Sequence, residues 1–227
     1  MSSIGNVGRI FSSPSGVALD IASTPDWKVP LVVVILLTVI FTAVLYPFQL
    51  EYQRDMLEKF QKETGREMDI DALTRPSMAK RVTGLVGAAV MVSLFVLVAS
   101  AILNGVAMLV GGSSGFTKMF SLLAYTMIIA SAGNLVKVPL VMAKGSIDAA
   151  RLSLAAFAPG LRLESAAGLA LSSTDVFAVW TVVATVIGFG ALTGLGNKKS
   201  AVIVVGFYAL FVLLQIGMAL LTARAMA

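Results

Sequence analysis

Long apolar stretches broken by short polar ones dominate this chain. Pro30 to Leu50 contains no charged residue, and about 20 such residues in a helix cross the roughly 30 Å hydrocarbon core of a bilayer. Trp27 and Lys28 stand just before it, where interfacial anchors belong. Its distance from the N-terminus, its length and the lack of a small-residue cleavage site set it apart from a signal peptide. A second stretch runs over about 82–110 behind Lys80 and Arg81, long enough to tilt. Gly111-Gly112-Ser113-Ser114-Gly115 breaks it, and a third follows over about 117–140, ending between Pro139 and Ala143. So short a connection predicts that the second and third helices are antiparallel neighbours. Val176 to Leu195 and about 201–222 are the fourth and fifth, with Gly196-Asn197-Lys198-Lys199 read as a tight turn between them. The pattern predicts an all-α membrane protein: a bundle of five transmembrane helices with short amphipathic surface helices.

The remaining segments divide the chain into an N-terminal interfacial segment, 1–29, and a five-span membrane domain, 30–227. In the first, Ser13 is placed to cap a helix that has Pro14 at its first position, and Val17 and Ile21 would lay that helix on the interface. Residues 51–81 form a charged helical loop of seven basic and seven acidic residues. Arg54–Glu58, Asp55–Lys59 and Lys59–Glu63 are opposite charges four apart, which favours helix. Leu50, Leu57, Phe60 and Met56 would line its apolar face, and Gly65 is the expected stop. The first span should therefore continue into water. Residues 144–174 read as an amphipathic loop: Ile147, Ala150, Arg151, Leu154 and Phe157 share a face, and Pro159-Gly160 ends it. Lys144, Asp148, Arg151, Arg162 and Glu164 keep its apolar runs too short to cross. It either lies on the membrane surface or packs on the bundle.

Composition strengthens the membrane reading. Charged residues make up 13% of the chain and the mean hydropathy is +0.92, whereas soluble domains carry about 25% charged residues. Lipid is the solvent for most of this surface. The net charge of +5 comes from basic residues dispersed around the spans, without the stripe that nucleic-acid binding needs. The expected partners are the lipid bilayer and a membrane protein, with no nucleic acid.

The absence of cysteine and histidine excludes disulfides, thiolate metal sites and any Ser–His or Cys–His dyad. Gly194-Leu195-Gly196-Asn197-Lys198-Lys199-Ser200 has the composition of a phosphate loop but not its spacing. No catalytic residue, cofactor or metal site is expected, and the chain reads as a non-enzyme. Polar groups inside spans carry more information, because lipid penalises them. Asn104 in the second span, and Asn134 with Lys137 one turn on in the third, form a candidate intramembrane polar site. The plainer reading is that Asn134 bonds a neighbouring helix while Lys137 snorkels. Asp175 should cap the fourth span. Gly84 with Ala88, and Gly190 with Gly194, are small residues at helix-packing spacing.

Three stretches resemble the YIP (Ypt-interacting protein) family in its short bacterial and archaeal form. They are Ile10-Phe11-Ser12-Ser13-Pro14 followed by Pro25-Asp26-Trp27; Phe120-Ser121-Leu122-Leu123-Ala124-Tyr125 running to Pro139; and Thr174-Asp175-Val176-Phe177-Ala178-Val179-Trp180 leading to Ile187-Gly188. Their order and spacing carry the likeness, which implies five membrane helices and a membrane scaffold or adaptor. Eukaryotic members act in Golgi and vesicle traffic and contact Rab GTPases. Their long polar N-terminal domain and an Asp-Leu-x-Gly-Pro motif are not found in these residues, so Rab binding is not carried over. Some prokaryotic relatives appear beside exporters, which implies an accessory transport role as the alternative, or a small transporter or channel using the polar site. The expected location is the prokaryotic inner membrane. Orientation is contested: five basic residues (Arg9, Lys28, Lys118, Lys198, Lys199) fall on the N-terminal side and the other twelve on the opposite one. The positive-inside rule places the twelve in the cytoplasm, whereas the eukaryotic relatives keep their N-terminus there.

Overall fold

The computed structural model describes residues 2–147, 153–157, 166–172 and 174–226. In order, its helices are α1 (Ser3–Arg9), α2 (Pro14–Ser23), α3 (Lys28–Thr64), α4 (Ile70–Thr74), α5 (Met78–Leu109), α6 (Phe116–Lys144), α7 (Ala166–Ser172), α8 (Val176–Thr193) and α9 (Asn197–Met226), with a 3-10 turn at Leu154–Phe157. Among the described residues there is no strand. Five helices, α3, α5, α6, α8 and α9, are long and apolar enough to cross a membrane. The protein is an all-α integral membrane protein.

Helix α6 is the axis of the bundle. Of its most apolar stretch, 67% is buried by protein, against 6% in α9. It packs on α3, α5 and α8, and α9 closes the far side against α8. Between helices in lipid no hydrophobic force operates, so close packing has to hold them. Glycines decide where that packing is tightest. A methyl at Gly188 of α8 would overlap Leu122 of α6, and one at Gly133 of α6 would come within 3.2 Å of the Phe177 ring on α8.

The small residues singled out by spacing divide differently. Gly190 does bring α8 near α9, since a methyl there would lie 3.1 Å from Ser200 Oγ. Gly84 meets open space and is exposed, and Ala88 is half-buried, so that pair does not seat a neighbouring helix within this chain. Gly194 has φ +71° and ends α8, its N–H donating to the Gly190 carbonyl at 3.1 Å. Its role is the left-handed cap that a residue with a Cβ would strain. The turn is consequently Gly194–Gly196, and Asn197, Lys198 and Lys199 belong to the first turn of α9.

The N-terminal helices pack on protein. Ile10, Val17, Ala18 and Ile21 are buried in the same core as Leu122, Tyr125 and Phe189, so the apolar face that marked an interfacial helix is turned onto α6 and α8. Pro14 opens α2 behind Ser13, although the Ser13 hydroxyl makes no capping bond. Helix α3 has 37 residues, a length of about 55 Å, and continues well beyond the bilayer until Gly65 ends it at φ +66°. With α4 and the start of α5 it forms a charged lobe. Arg54 pairs with Glu58 at 3.2 Å and reaches Asp71 of α4 at 2.9 Å. Among the described residues, Asp55–Lys59 and Lys59–Glu63 do not close to ion-pair distance. Lys80 Nζ donates to the Leu73 carbonyl at 2.9 Å, satisfying the end of α4, and Arg81 lies over the Tyr46 ring. Of the 144–174 loop, Asp148, Ala150, Arg151, Pro159, Gly160, Arg162 and Glu164 lie outside the described residues, and Phe157 is exposed.

Candidate functional site

The interior space of the bundle lies between α5, α6, α8 and α9. It is a cavity of about 480 Å³, within the range of small-molecule sites. Met91, Phe95 and Leu103 of α5 form one wall, and Phe207 and Phe211 of α9 the one beside it. Leu123, Met127 and Ala130 line it from α6, and Ala178 and Thr185 from α8. The threonine hydroxyls here are already spent on their own helices, and the Tyr208 hydroxyl lies 3.5 Å from that of Thr174. Thr185 Oγ1 donates to the Thr181 carbonyl at 2.7 Å, Thr181 to Phe177 at 2.8 Å and Thr126 to Leu123 at 3.2 Å. Methyls and rings are what the cavity meets. From Met91 to Leu103 it extends about 18 Å along α5, at the helical rise. On the outer face of α5 and α9 lies a groove of about 280 Å³. Phe95 and Phe211, with ring centroids 5.0 Å apart, line both spaces and divide them.

None of Asn104, Asn134 and Lys137 lines this cavity, and they do not form one site. Asn104 accepts a hydrogen bond from Ser114 Oγ at 3.2 Å, and its amide points to Met108 Sδ. It ties the end of α5 to the loop before α6. Asn134 lies eighteen residues into α6, about 27 Å from that loop. Asn104 therefore lies apart from Asn134 and Lys137, because the antiparallel α5–α6 hairpin puts residues near its turn and near its open end at opposite ends of the bundle. Asn134 and Lys137 do stay together: counting four and seven from Ala130 continues the cavity-lining stripe of α6 toward its C-terminal end. Both are half-buried.

A further polar group lies outside the spans, on α1 and α2. Arg9 Nη1 donates to Asp20 Oδ2 at 2.8 Å and to Asn6 Oδ1 at 2.9 Å, and Asn6 is buried. The Arg9 guanidinium holds the Asp20 carboxyl below its ordinary range. Tyr125, nine residues into α6, donates its hydroxyl to the Ser3 carbonyl at 3.1 Å, and Trp180 Nε1 donates to the Phe11 carbonyl at 3.2 Å. These bonds hold α1 and α2 alongside the spans. The legible signal was an arginine and an aspartate in a segment otherwise apolar or small.

Among the described residues the cavity lining holds no nucleophile with a base and no carboxylate pair, and what it offers is apolar contact. No curated protein and no solved structure matches the chain. The Yip1 domain matches residues 8–219, a range that takes in α2, the spanning helices α3, α5, α6 and α8, most of α9 and the cavity between them, and the chain belongs to the Yip1 domain family.

Proposed function

We propose that this protein is a non-enzymatic membrane scaffold, resident in a prokaryotic inner membrane, that organises a protein partner at the bilayer. The observation that carries this reading is the charged lobe. Helix α3 runs about 25 Å past a bilayer of about 30 Å, and its projecting part is tied to α4 by Arg54–Asp71, while Lys80 of α5 ties α4 to α5. A braced projection loses little entropy on binding, which is what a docking platform needs. Tyr52, Met56 and Leu73 stand exposed among its charges, an apolar and charged mixture suited to a protein surface. A transporter with a polar interior site is less well supported, since the interior cavity is apolar and Asn104 and Asn134 lie toward opposite ends of the α5–α6 hairpin.

A photocrosslinking residue placed at Met56, at Leu73 and, for contrast, at lipid-facing Val202 tests the reading in native membranes. A discrete protein adduct of reproducible mass is expected at the two lobe positions and not at Val202. Recovery of the chain alone at all three positions counts against it.

A further inference from the structure

We infer that the cavity is a lipid site that takes one acyl chain of an anionic phospholipid from the surrounding bilayer, with the head group at Asn134 and Lys137. This goes beyond the scaffold reading and does not depend on it, since the cavity lies inside the bundle and the lobe outside it.

The argument for the tail is one of shape, polarity and access. The cavity extends about 18 Å along the helix axis, parallel to the chains of a bilayer, and presents no unsatisfied hydroxyl among its threonines. Water has nothing to bond there, so an apolar occupant is favoured over a hydrated space. Of the adjacent spans in contact, α5 and α9 touch least. Between them Met91, Phe95, Ala99, Phe207 and Phe211 line both the cavity and the outer groove, with the Phe95 and Phe211 rings 5.0 Å apart. Leu94, Ile102, Leu210 and Leu214, on that outer side, are exposed to the hydrocarbon. The apolar molecule in contact with this opening is the bilayer lipid itself. Rotation of the Met91, Phe95, Phe207 and Phe211 side chains is a small change compared with parting helices, so a chain can enter sideways.

The argument for the head group is register and charge. Met127 and Ala130 line the cavity, and Asn134 and Lys137 follow on the same stripe, with Lys137 about 10 Å beyond Ala130. That places an amide and a cation where an acyl chain would emerge toward the polar boundary. No carboxylate among the described residues pairs with Lys137, and Asp175 at the start of α8 is engaged by the Ala178 N–H at 2.7 Å. A phosphate would give Lys137 its counter-charge.

The test uses the full chain in nanodiscs containing phosphatidylglycerol with a photoactivatable group in one acyl chain. Adducts at Thr126, Thr185 or Phe207 are expected; adducts confined to outward-facing Val202 and Leu213 would overturn the site. Native mass spectrometry after mild detergent extraction provides a second readout. The wild-type chain should retain one phospholipid, and Ala130→Phe, which fills the cavity, should lower that occupancy at least tenfold. Unchanged occupancy in Ala130→Phe, or a retained free fatty acid in place of phospholipid, overturns it. If Ala130→Phe does not fold, Lys137→Gln serves. It should keep the tail adducts and reduce the preference for phosphatidylglycerol over phosphatidylcholine by about fivefold, the scale of one partly screened charge contact. Equal preference in Lys137→Gln and wild type removes Lys137 from the site.

Discussion

Two helix interfaces in this bundle are both built from apolar sequence and differ in what they leave between them. Where α6 meets α8, Gly188 receives Leu122 and Gly133 receives Phe177, so the backbones approach and the space is filled by protein. Where α5 faces α9, the contact is made by Phe95 and Phe211, and a cavity remains behind the rings. The contrast shows how side-chain size alone partitions a membrane bundle. With no hydrophobic force between helices in lipid, small residues draw them together and large ones hold them apart. The first interface is a rigid hub, also gripping α2; the second is the side through which the interior communicates with lipid.

The most direct way to break the comparison is to put bulk into the hub. Gly188→Val overlaps Leu122, which is fully buried, and should lose about 3 kcal/mol, the upper end of overpacking costs. Unfolding in a denaturing-detergent titration measures it. Adding Leu122→Ala to the same chain should recover more than half of the loss by opening the space. A Gly188→Val chain as stable as the parent would mean that α6 and α8 are not close-packed. The opposite interface should be more forgiving. Phe211→Leu removes one ring of the aromatic pair and should cost about 1 kcal/mol in the same titration; a loss equal to that of Gly188→Val would erase the distinction.

A smaller effect separates packed from unpacked glycines. Gly84→Ala meets no atom and should change stability by less than about 1 kcal/mol, in the stabilising direction set by helix propensity. Destabilisation accompanied by a lower oligomeric mass in detergent would instead show Gly84 at work between copies of the chain. The smallest expected effect is one of pH. Arg9 lowers the Asp20 carboxyl in the folded chain, so its contribution is complete above the ordinary aspartate value of about 3.9. It is lost as pH falls below that value through the depressed one. The two tryptophans report on it, since Trp180 bonds Phe11 and Trp27 packs on Phe120. Their emission should stay constant from neutral pH to about 5 and shift only below about 4, and Asp20→Asn should remove that shift. A transition near neutrality would contradict the pairing.

Much of the fold was legible because bilayer thickness imposes a minimum run of apolar residues. The charged extension of α3, its stop at Gly65 and the Asp175 cap of α8 followed from local rules, since each involves groups within a turn of one another. The functional site was far less legible. Asn104, Asn134 and Lys137 were conspicuous as polar residues in apolar runs, but their separation depends on which end of each helix they occupy. The cavity had no local signature at all. Phe95 and Phe211 are ordinary span residues until two helices 116 positions apart in the chain are set face to face. Arg9 and Asp20 likewise became a charged pair beside the spans only when α1 and α2 folded onto Tyr125 and Trp180.

What the sequence determined by itself was the solvent, the all-helical architecture and the exclusion of histidine and thiol chemistry, because each depends on which residues are present and how far their runs extend. The tertiary structure alone decided which glycines receive a neighbour, that α6 is the axis and that an apolar cavity stands between α5 and α9. Those outcomes depend on the rotation of one helix against another, and packing between distant segments sets that angle.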